Sequence, residues 1–436
     1  MLQSSHDRAC LERGHRHAPP RQVTMLHMKS ASKKSASVAM QAAADASQTP
    51  TKTMPPLDQP WQLLGGMSPQ AFMKKYWQKK PLLIKQAVPG VVSPISRAEL
   101  FELAAQDDVE SRVVVQGGAA KGKKPAPEWS LLHGPFERNR LPKLSQPKWT
   151  LLVQGLDLHV RAAHDILQQF RFVPDARLDD LMISYATDGG GVGPHYDSYD
   201  VFLLQVHGKR RWRIGPLNNP ALLPDMPVKI LADFQPEEEY VLEPGDMLYL
   251  PPRWGHDGVA EGECMTCSIG FRVPETTELV REVLIRLTEG LEPNDPPKLY
   301  KDPKQQATDS PARVPEALQD FAMDAITRAL KDPAALKAAL GELLTEPKPR
   351  VWFDISEEPL EPGVGVVLDA KTRMMYDDHC IYANGESWRA AGSDARMLRK
   401  LADQRRLSAA DVGRVSDDVR CLLEQWVDDG WLHPQD

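Results

Sequence analysis

The stretch from Trp149 to Phe271 is a succession of short β-like runs separated by Gly, Pro, Asp and Asn. Many short strands bounded by turn residues are typical of a β-sandwich or a barrel. The 38 prolines among 436 residues agree with this prediction, since they are too many for a mostly helical chain. The predicted strands are Trp149–Gln154, Met182–Tyr185, Val201–Val206, Arg210–Ile214, Tyr240–Leu242, Met247–Leu250 and Cys264–Phe271.

The chain changes character after Pro274. Hydrophobic periodicity predicts three amphipathic helices between residues 276 and 345. The remaining residues combine predicted strands at 351–353 and 365–368 with two helices, the second capped by Ser416, which fits a small winged-helix-like module. The predicted division is an N-terminal extension (1–55), a β domain (56–275), a helical region (276–345) and a winged-helix-like domain (346–436).

The helices of residues 276–345 have apolar stripes without an obvious partner. Bundled helices of this kind are often plain packing, yet an exposed apolar stripe is a liability in a soluble monomer. We therefore expect the stripe to meet its copy around a two-fold axis, and predict a homodimer. Ile285 and Phe321 are candidates for the buried face.

The overall composition excludes several classes of protein. The formal net charge of −7 argues against a protein that coats nucleic acid non-specifically. No apolar run approaches the roughly 18–20 residues of a membrane span, so we expect no transmembrane segment. Five cysteines in so long a chain do not make a disulfide framework, and we expect a reducing, cytoplasmic location.

Residues 1–55 carry eight Lys and Arg against three Asp and Glu, with no sustained apolar period. We interpret them as a disordered basic extension. A transit peptide has a similar composition, and a true start at Met25, Met28 or Met40 would remove much of the segment. The segment Gly117–Pro127, with three lysines, has the composition of a loop.

Two short motifs place metal-ligand residues next to predicted strands. Gly189–Asp197 has the sequence GGGVGPHYD, in which His195 and Asp197 point to the same side of an extended chain. Just after the strand Met247–Leu250, the sequence PPRWGH supplies His256. Two histidines and a carboxylate make the facial triad of non-haem Fe(II) oxygenases, which leaves positions for a co-substrate and O₂. The alternative is that both histidines lie in loops and make ordinary hydrogen bonds.

A third feature is a basic residue in a β-like run. His207-Gly208-Lys209 predicts a tight turn that leads into the strand Arg210–Ile214. Alternation along this strand puts Arg210 on the same face as large apolar residues. A buried guanidinium needs an anionic partner, and a dicarboxylate ligand suits its bidentate geometry. The alternative is a salt bridge within the chain, for instance with Asp200 or Asp246.

With these motifs the sequence resembles the bacterial JmjC-type ribosomal oxygenases. The resemblance is carried by GGGVGPHYDSYDVFLLQVHGKRRWRIG and LEPGDMLYLPPRWGHDG, with support from WQKKPLLIKQA, HGPF and RLDDLMISY. It covers most of residues 57–436 and leaves out the basic extension and the lysine-rich segment.

The resemblance implies a fold and a set of site residues. The implied fold is mainly β plus α: a double-stranded β-helix (cupin/JmjC) barrel, then a helical dimerisation region and a C-terminal winged-helix-like domain. By position, His195, Asp197 and His256 match the ligands of the catalytic Fe(II). Arg210 matches the residue that binds the distal carboxylate of 2-oxoglutarate, and Ser184 matches a hydroxyl that helps to hold this co-substrate.

The activity that the resemblance implies is that of a 2-oxoglutarate-dependent dioxygenase, with 2-oxoglutarate and O₂ as co-substrates. The implied substrate is an arginyl residue of large-subunit ribosomal protein sixteen, hydroxylated at its β-carbon. One alternative is the same chemistry on another protein, as a histidyl hydroxylase or a lysine demethylase. Another is a non-catalytic DNA-binding regulator that uses the cupin as a sensor.

Two weaker features leave alternatives open. The basic stretch of residues 396–406 is either a solvated face or a contact with ribosomal protein or RNA. We expect no direct nucleic-acid binding, although weak contact through the winged helix stays open. Cys264 and Cys267 form a C-x-x-C pair, but residues three apart in a strand face opposite ways, which argues against a redox or zinc site.

Overall fold

A computed structural model of the protein describes residues 55–117, 129–289, 298–307, 310–356 and 359–435. The interpretations of the basic extension, up to residue 54, and of the lysine-rich segment from residue 118 onwards lie outside the described residues. The described chain forms two compact units, one ending at Val273 and the other beginning at Pro274. The finer division of the chain at residues 275 and 345 stays a prediction.

Within the described residues, nine strands of the first unit form one antiparallel sheet. They are β1 (Leu82–Ile84), β2 (Ser111–Gln116), β3 (Trp129–His133), β4 (Trp149–Val153), β5 (Leu178–Ala186), β6 (Val201–Pro216), β7 (Glu238–Leu242), β8 (Met247–Leu250) and β9 (Trp254–Phe271). Eight of them follow the order β1-β8-β6-β9-β5-β4-β2-β3, and β7 pairs with β6 outside this path. β6 pairs with β9 along its length, and its other edge is shared by β8 and β7.

The two faces of this sheet differ because side chains alternate along each strand. The apolar face packs against three helices of the same unit through buried side chains that include Phe72, Leu100 and Leu167. These helices are α1 (Pro69–Lys75), α2 (Arg97–Leu103) and α3 (Arg161–Gln168). The opposite face, the pocket face, carries the buried polar side chains of Ser184 and Gln205. Burial of such groups is costly unless they are hydrogen-bonded, so the pocket face is where a site is expected.

The predicted turn at His207-Gly208-Lys209 is wrong. β6 runs without interruption from Val201 to Pro216 and pairs with β9 on both sides of this segment. Gly208 has a left-handed backbone (φ 62°) and the pairing register shifts around it, so the segment is a bulge within one strand. A glycine between polar residues is common to turns and bulges, and the sequence pattern therefore does not separate them.

In its described part, the second unit contains the predicted helices and two three-stranded sheets. Its helices are α4 (Thr276–Glu289), α5 (Glu316–Leu330), α6 (Pro333–Thr345), α7 (Gly392–Gln404), α8 (Ala409–Val412) and α9 (Asp417–Asp428). Its strands are β10 (Gly365–Leu368), β11 (Met374–Tyr376), β12 (Cys380–Ala383), β13 (Glu386–Arg389), β14 (Arg406–Leu407) and β15 (Leu432–Gln435). The Ser416 hydroxyl caps α9 by accepting the amide hydrogen of Val419, as predicted. Residues 351–353 do not form the predicted strand.

Helices α4 and α5 leave apolar side chains at the surface of the second unit. Ile285 is 45% exposed and Ile326 is 54% exposed, whereas Phe321 is half-buried with its ring against Tyr300. Among the described helices, none is both long enough and apolar enough to cross a membrane.

Candidate metal centre

His195 and Asp197, from the loop between β5 and β6, come together with His256, the third residue of β9. One ligand atom of each lies within 4.8 Å of the others. His256 Nε2 is 3.7 Å from Asp197 Oδ2, and the centroids of the two imidazole rings are 4.2 Å apart. Two imidazole nitrogens and one carboxylate oxygen are the donor set of the facial triad that binds Fe(II). The residues present therefore fit a divalent iron ion.

The main chain holds the two histidines opposite each other. The His195 N–H donates to the His256 carbonyl oxygen at 2.9 Å, and the His256 N–H donates to that of His195 at 2.8 Å. Each imidazole Nδ1 also lies near a backbone carbonyl oxygen, that of Gly193 at 2.8 Å or of Trp254 at 3.0 Å. Because a carbonyl oxygen can only accept, Nδ1 carries the proton and Nε2 keeps its lone pair for a metal.

His256 is held in the neutral form that a metal requires. Burial, and secondly the proximity of His195, lower the pKa of His256 to about 4, against a smaller opposing effect of Asp197. A histidine must be neutral to bind a metal ion. His256 is therefore ready as a ligand at neutral pH, without losing a proton first.

The glycines that precede His195 permit close packing of the main chain. A Cβ atom at Gly191 would lie 2.4 Å from the Gly258 carbonyl oxygen. Gly193 has a left-handed backbone (φ 83°), and a Cβ atom there would lie 2.4 Å from Ile230 Cδ1. Real Cβ atoms do not tolerate such distances, so Gly191 lets the segment approach β9, and Gly193 supplies the left-handed turn just before His195.

Arg210 is buried with part of its guanidinium unpaired. Its side chain is 5% exposed, and Nη1 donates to Ser184 Oγ at a long 3.4 Å. Nε and Nη2 are buried and have no hydrogen-bond partner among the described residues. By contrast, Arg211 and Arg213 on the other side of β6 are paired with acidic side chains. A buried unpaired cation is costly, so this position suits the carboxylate of a bound ligand.

The acids considered as internal partners of Arg210 make other contacts. Asp246 pairs with Lys85 at 2.8 Å, and Asp200 accepts a hydrogen bond from the Tyr249 hydroxyl at 2.6 Å. Within the described residues no ion pair links either of them to Arg210, so the alternative of a salt bridge with Asp200 or Asp246 is wrong.

Trp212 separates the guanidinium from the metal centre on the pocket face. In the ladder between β6 and β9, Trp212 lies opposite Gly258 and Ile214 lies opposite His256. The indole centroid is 5.7 Å from Arg210 Cζ and 5.8 Å from the His256 ring centroid. A Cβ atom at Gly258 would lie 2.6 Å from the indole, so the glycine makes room for this ring. The indole therefore lies between the Arg210 guanidinium and the metal ligand His256.

Sequence reasoning missed two polar side chains next to Arg210. Thr266 Oγ1 donates to Gln205 Oε1 at 2.8 Å, and Ser184 Oγ donates to the Thr266 carbonyl oxygen at 3.4 Å. Gln205 is fully buried. The available signal was a single polar residue at the end of the otherwise apolar run VFLLQV, since such a residue on a buried strand faces either a ligand or a polar partner.

Comparisons with known proteins agree with this geometry. Residues 165–279 match the family model of the JmjC domain, and residues 327–433 match that of the ROXA-like winged helix. The ribosomal protein uL16 3-hydroxylase of Escherichia coli (strain K12) is 34% identical in an alignment of 371 positions that covers 80% of this chain and 93% of that protein. The chain belongs to the JmjC-type ribosomal oxygenases.

Other ribosomal oxygenases match over similar lengths. A probable ribosomal oxygenase of Haemophilus influenzae is 30% identical in an alignment of 404 positions that covers 84% of this chain and 96% of that protein. The structure of YcfD, a ribosomal oxygenase from Escherichia coli in complex with cobalt and 2-oxoglutarate, matches with a TM-score of 0.69 at 30% identity. That match covers 85% of this chain and 99% of the other. The predicted fold class, a JmjC cupin followed by helices and a winged helix, is confirmed for this ribosomal oxygenase.

Two other sequence features lie outside the metal centre of this ribosomal oxygenase. Cys264 and Cys267 belong to different buried clusters on opposite faces of β9, and burial raises the pKa of the Cys267 thiol. In the basic stretch of the winged helix, Arg399 and Arg405 donate to backbone carbonyls and Lys400 pairs with an aspartate. Much of that stretch is thus engaged in contacts within its own unit.

Proposed function

We propose that this protein is an Fe(II)- and 2-oxoglutarate-dependent hydroxylase that acts on a large-subunit ribosomal protein. One observation carries the proposal: the buried guanidinium of Arg210, with unpaired Nε and Nη2, shares a sheet face with a cluster of two histidines and one aspartate. An anion site and a three-ligand metal site on one face are what a dicarboxylate that also binds a metal requires. The YcfD complex with cobalt and 2-oxoglutarate supports this choice of ligands.

Separate groups of residues would bind the metal ion and the co-substrate. His195, Asp197 and His256 would hold Fe(II), while Arg210 and Ser184 would hold the distal carboxylate of 2-oxoglutarate. When bound, Fe(II) and 2-oxoglutarate supply the O₂-dependent oxidation that places a hydroxyl group on carbon. The indole of Trp212 lies beside both the Arg210 guanidinium and the His256 ring, where it would give the ligands an apolar surface to pack against.

The proposed substrate is large-subunit ribosomal protein sixteen, with hydroxylation at the β-carbon of an arginyl residue. The relative from Escherichia coli that matches most of this chain is named for 3-hydroxylation of uL16, which supports this choice. We further propose that the protein works in the cytoplasm, where such a substrate is made.

Intact-mass analysis of ribosomal proteins tests the substrate directly. In cells that lack the gene, we expect ribosomal protein sixteen to be lighter by the mass of one oxygen atom, and the wild-type gene to restore the difference. A gene that encodes Asp197→Asn should fail to restore it, since the variant lacks a metal ligand. A shift on a different protein would contradict the proposed substrate, and no shift on any protein would contradict the proposed hydroxylase activity in cells.

We also propose a homodimer formed through the exposed apolar side chains of α4 and α5. Replacing Ile285 or Ile326 by glutamate should yield monomers, because a charge buried at an apolar interface is strongly unfavourable. Light scattering at micromolar concentration measures the change in molecular mass. Val92→Glu is the matched control, since Val92 is an 81%-exposed apolar residue of the first unit and its replacement should leave the mass unchanged. A monomeric wild-type protein would contradict the proposal.

A further inference from the structure

Three consecutive basic residues on β6 face different surroundings. The Lys209 side chain is 54% exposed and pairs with Glu243, and that of Arg211 is 41% exposed and pairs with Glu239. Only Arg210, between them, is buried on the pocket face. Residue type alone therefore does not decide which of the three cations is buried on the pocket face. The local backbone conformation of β6 decides it.

Regular alternation of side chains along β6 would turn Arg210 away from the pocket face. Gln205 lies on the pocket face, because it stands opposite Thr266 in the ladder and bonds to its side chain. Counting onward in steps of two from Gln205 would bring Lys209 and Arg211 to this face and turn Arg210 away. Arg210 nevertheless reaches Ser184, which stands opposite Thr266 on the other side of β9. The strand must therefore lose its alternation between residues 205 and 210.

The bulge supplies this change of phase. The pairing of β6 with β9 shifts register on both sides of His207, and Gly208 is left-handed. A Cβ atom at Gly208 would lie 2.1 Å from the Glu263 carbonyl oxygen, so the close approach depends on glycine. A bulge places one additional residue in a strand and thereby turns all later side chains to the other face.

The side chain of Gln205, on the pocket face, forms hydrogen bonds with the main chain of the bulge. Its Nε2 donates to the His207 carbonyl oxygen at 2.8 Å and lies 3.4 Å from that of Gly208. Because a carbonyl oxygen can only accept, the NH₂ end of the amide faces the bulge, and Oε1 at the other end accepts from Thr266 Oγ1 at 2.8 Å. Gln205 is fully buried, so no water competes for these bonds.

We propose that Gln205 is a positioning residue for co-substrate binding: its amide fixes the bulge of β6 and so brings Arg210, instead of Lys209 or Arg211, to the pocket face. The inference rests on the proposed function, because it takes Arg210 as the residue that binds the distal carboxylate of 2-oxoglutarate. Gln205 itself acts through Arg210 and not through contact with the reacting atoms.

Titration calorimetry of 2-oxoglutarate into the Mn(II)-loaded full-length protein tests the proposal without turnover. Gln205→Met keeps the length of the side chain and removes its amide, and it should weaken 2-oxoglutarate binding by about tenfold, the equivalent of one buried hydrogen bond. In turnover with Fe(II), the Michaelis constant for 2-oxoglutarate should rise while the rate at saturation changes little. Gln86→Met is the matched control, since the Gln86 amide also donates to a backbone carbonyl, that of Pro244, and its loss should leave binding unchanged.

A double-mutant cycle separates positioning from general stability. If Gln205 acts through Arg210, then Gln205→Met should cause no further loss of 2-oxoglutarate binding in an Arg210→Ala background. An equal loss in both backgrounds would overturn the proposal, and so would wild-type affinity in Gln205→Met. If Gln205→Met does not fold, Thr266→Val decides: weaker binding supports the proposal, and unchanged binding overturns it. Wild-type affinity in Arg210→Ala alone would instead overturn the proposed function, and this inference with it.

Discussion

Replacing Asp197 by asparagine, or His195 by alanine, is expected to lower 2-oxoglutarate turnover by roughly a thousandfold or more, about 4 kcal/mol in the barrier. The fold should survive, because neither side chain belongs to the buried apolar clusters and the pairing of His195 with His256 uses main-chain atoms. Succinate release measures the turnover. Metal content by mass spectrometry and circular dichroism distinguish a lost ligand from a lost fold.

His379→Ala is the control for this experiment. His379 is an exposed histidine of the winged-helix unit, whose main-chain amide, and not its ring, bonds to Asp377. We expect this variant to turn over 2-oxoglutarate at the wild-type rate. Wild-type turnover by a folded, iron-reconstituted Asp197→Asn protein would show that Asp197 is not a ligand.

Arg210→Ala is expected to weaken 2-oxoglutarate binding by roughly 2–5 kcal/mol, the usual loss when one partner of a buried charged pair is removed. Arg210→Lys should keep part of the activity, because lysine retains the charge but not the bidentate fork. The Michaelis constant for 2-oxoglutarate measures both effects. Without ligand, Arg210→Ala should not lower the melting temperature, since the guanidinium is already buried with two unpaired nitrogens.

Arg211→Ala separates a specific role of Arg210 from a general effect of positive charge on β6. Arg211 is the next residue, and it forms ion pairs at the surface with Glu239 and Glu261, which contribute little to stability. Its removal should leave the Michaelis constant for 2-oxoglutarate unchanged. An unchanged constant in Arg210→Ala would refute the role assigned to Arg210.

The metal centre was predictable from the sequence because its signals are local. His195 and Asp197 are two residues apart in an extended segment, and His256 follows the end of a strand. The position of each ligand side chain can therefore be inferred from its own short segment of sequence. The same holds for the caps and apolar stripes of the second unit, such as Ser416 at the start of α9. Strand pattern and turn residues alone also gave most strands of the sheet.

The details that position Arg210 were not predictable in this way. The prediction placed Arg210 on the buried face for a partly wrong reason, by starting a new strand after a turn that does not exist. The change of phase at the bulge depends on how β6 lies against β9, and the amide of Gln205 donates to carbonyl oxygens of the same bulge. Such contacts depend on the register between strands, which periodicity within one segment does not contain.

The main-chain pairing of His195 with His256 also has a consequence for biosynthesis. The two residues are 61 positions apart, so their contact closes a long loop of the chain. Contacts of such large sequence separation are entropically costly to form and slow the folding of β proteins. A nascent chain that ends before β9 carries only two of the three ligand side chains. The complete three-ligand site would therefore form only after β9 has been synthesised and has paired with β6.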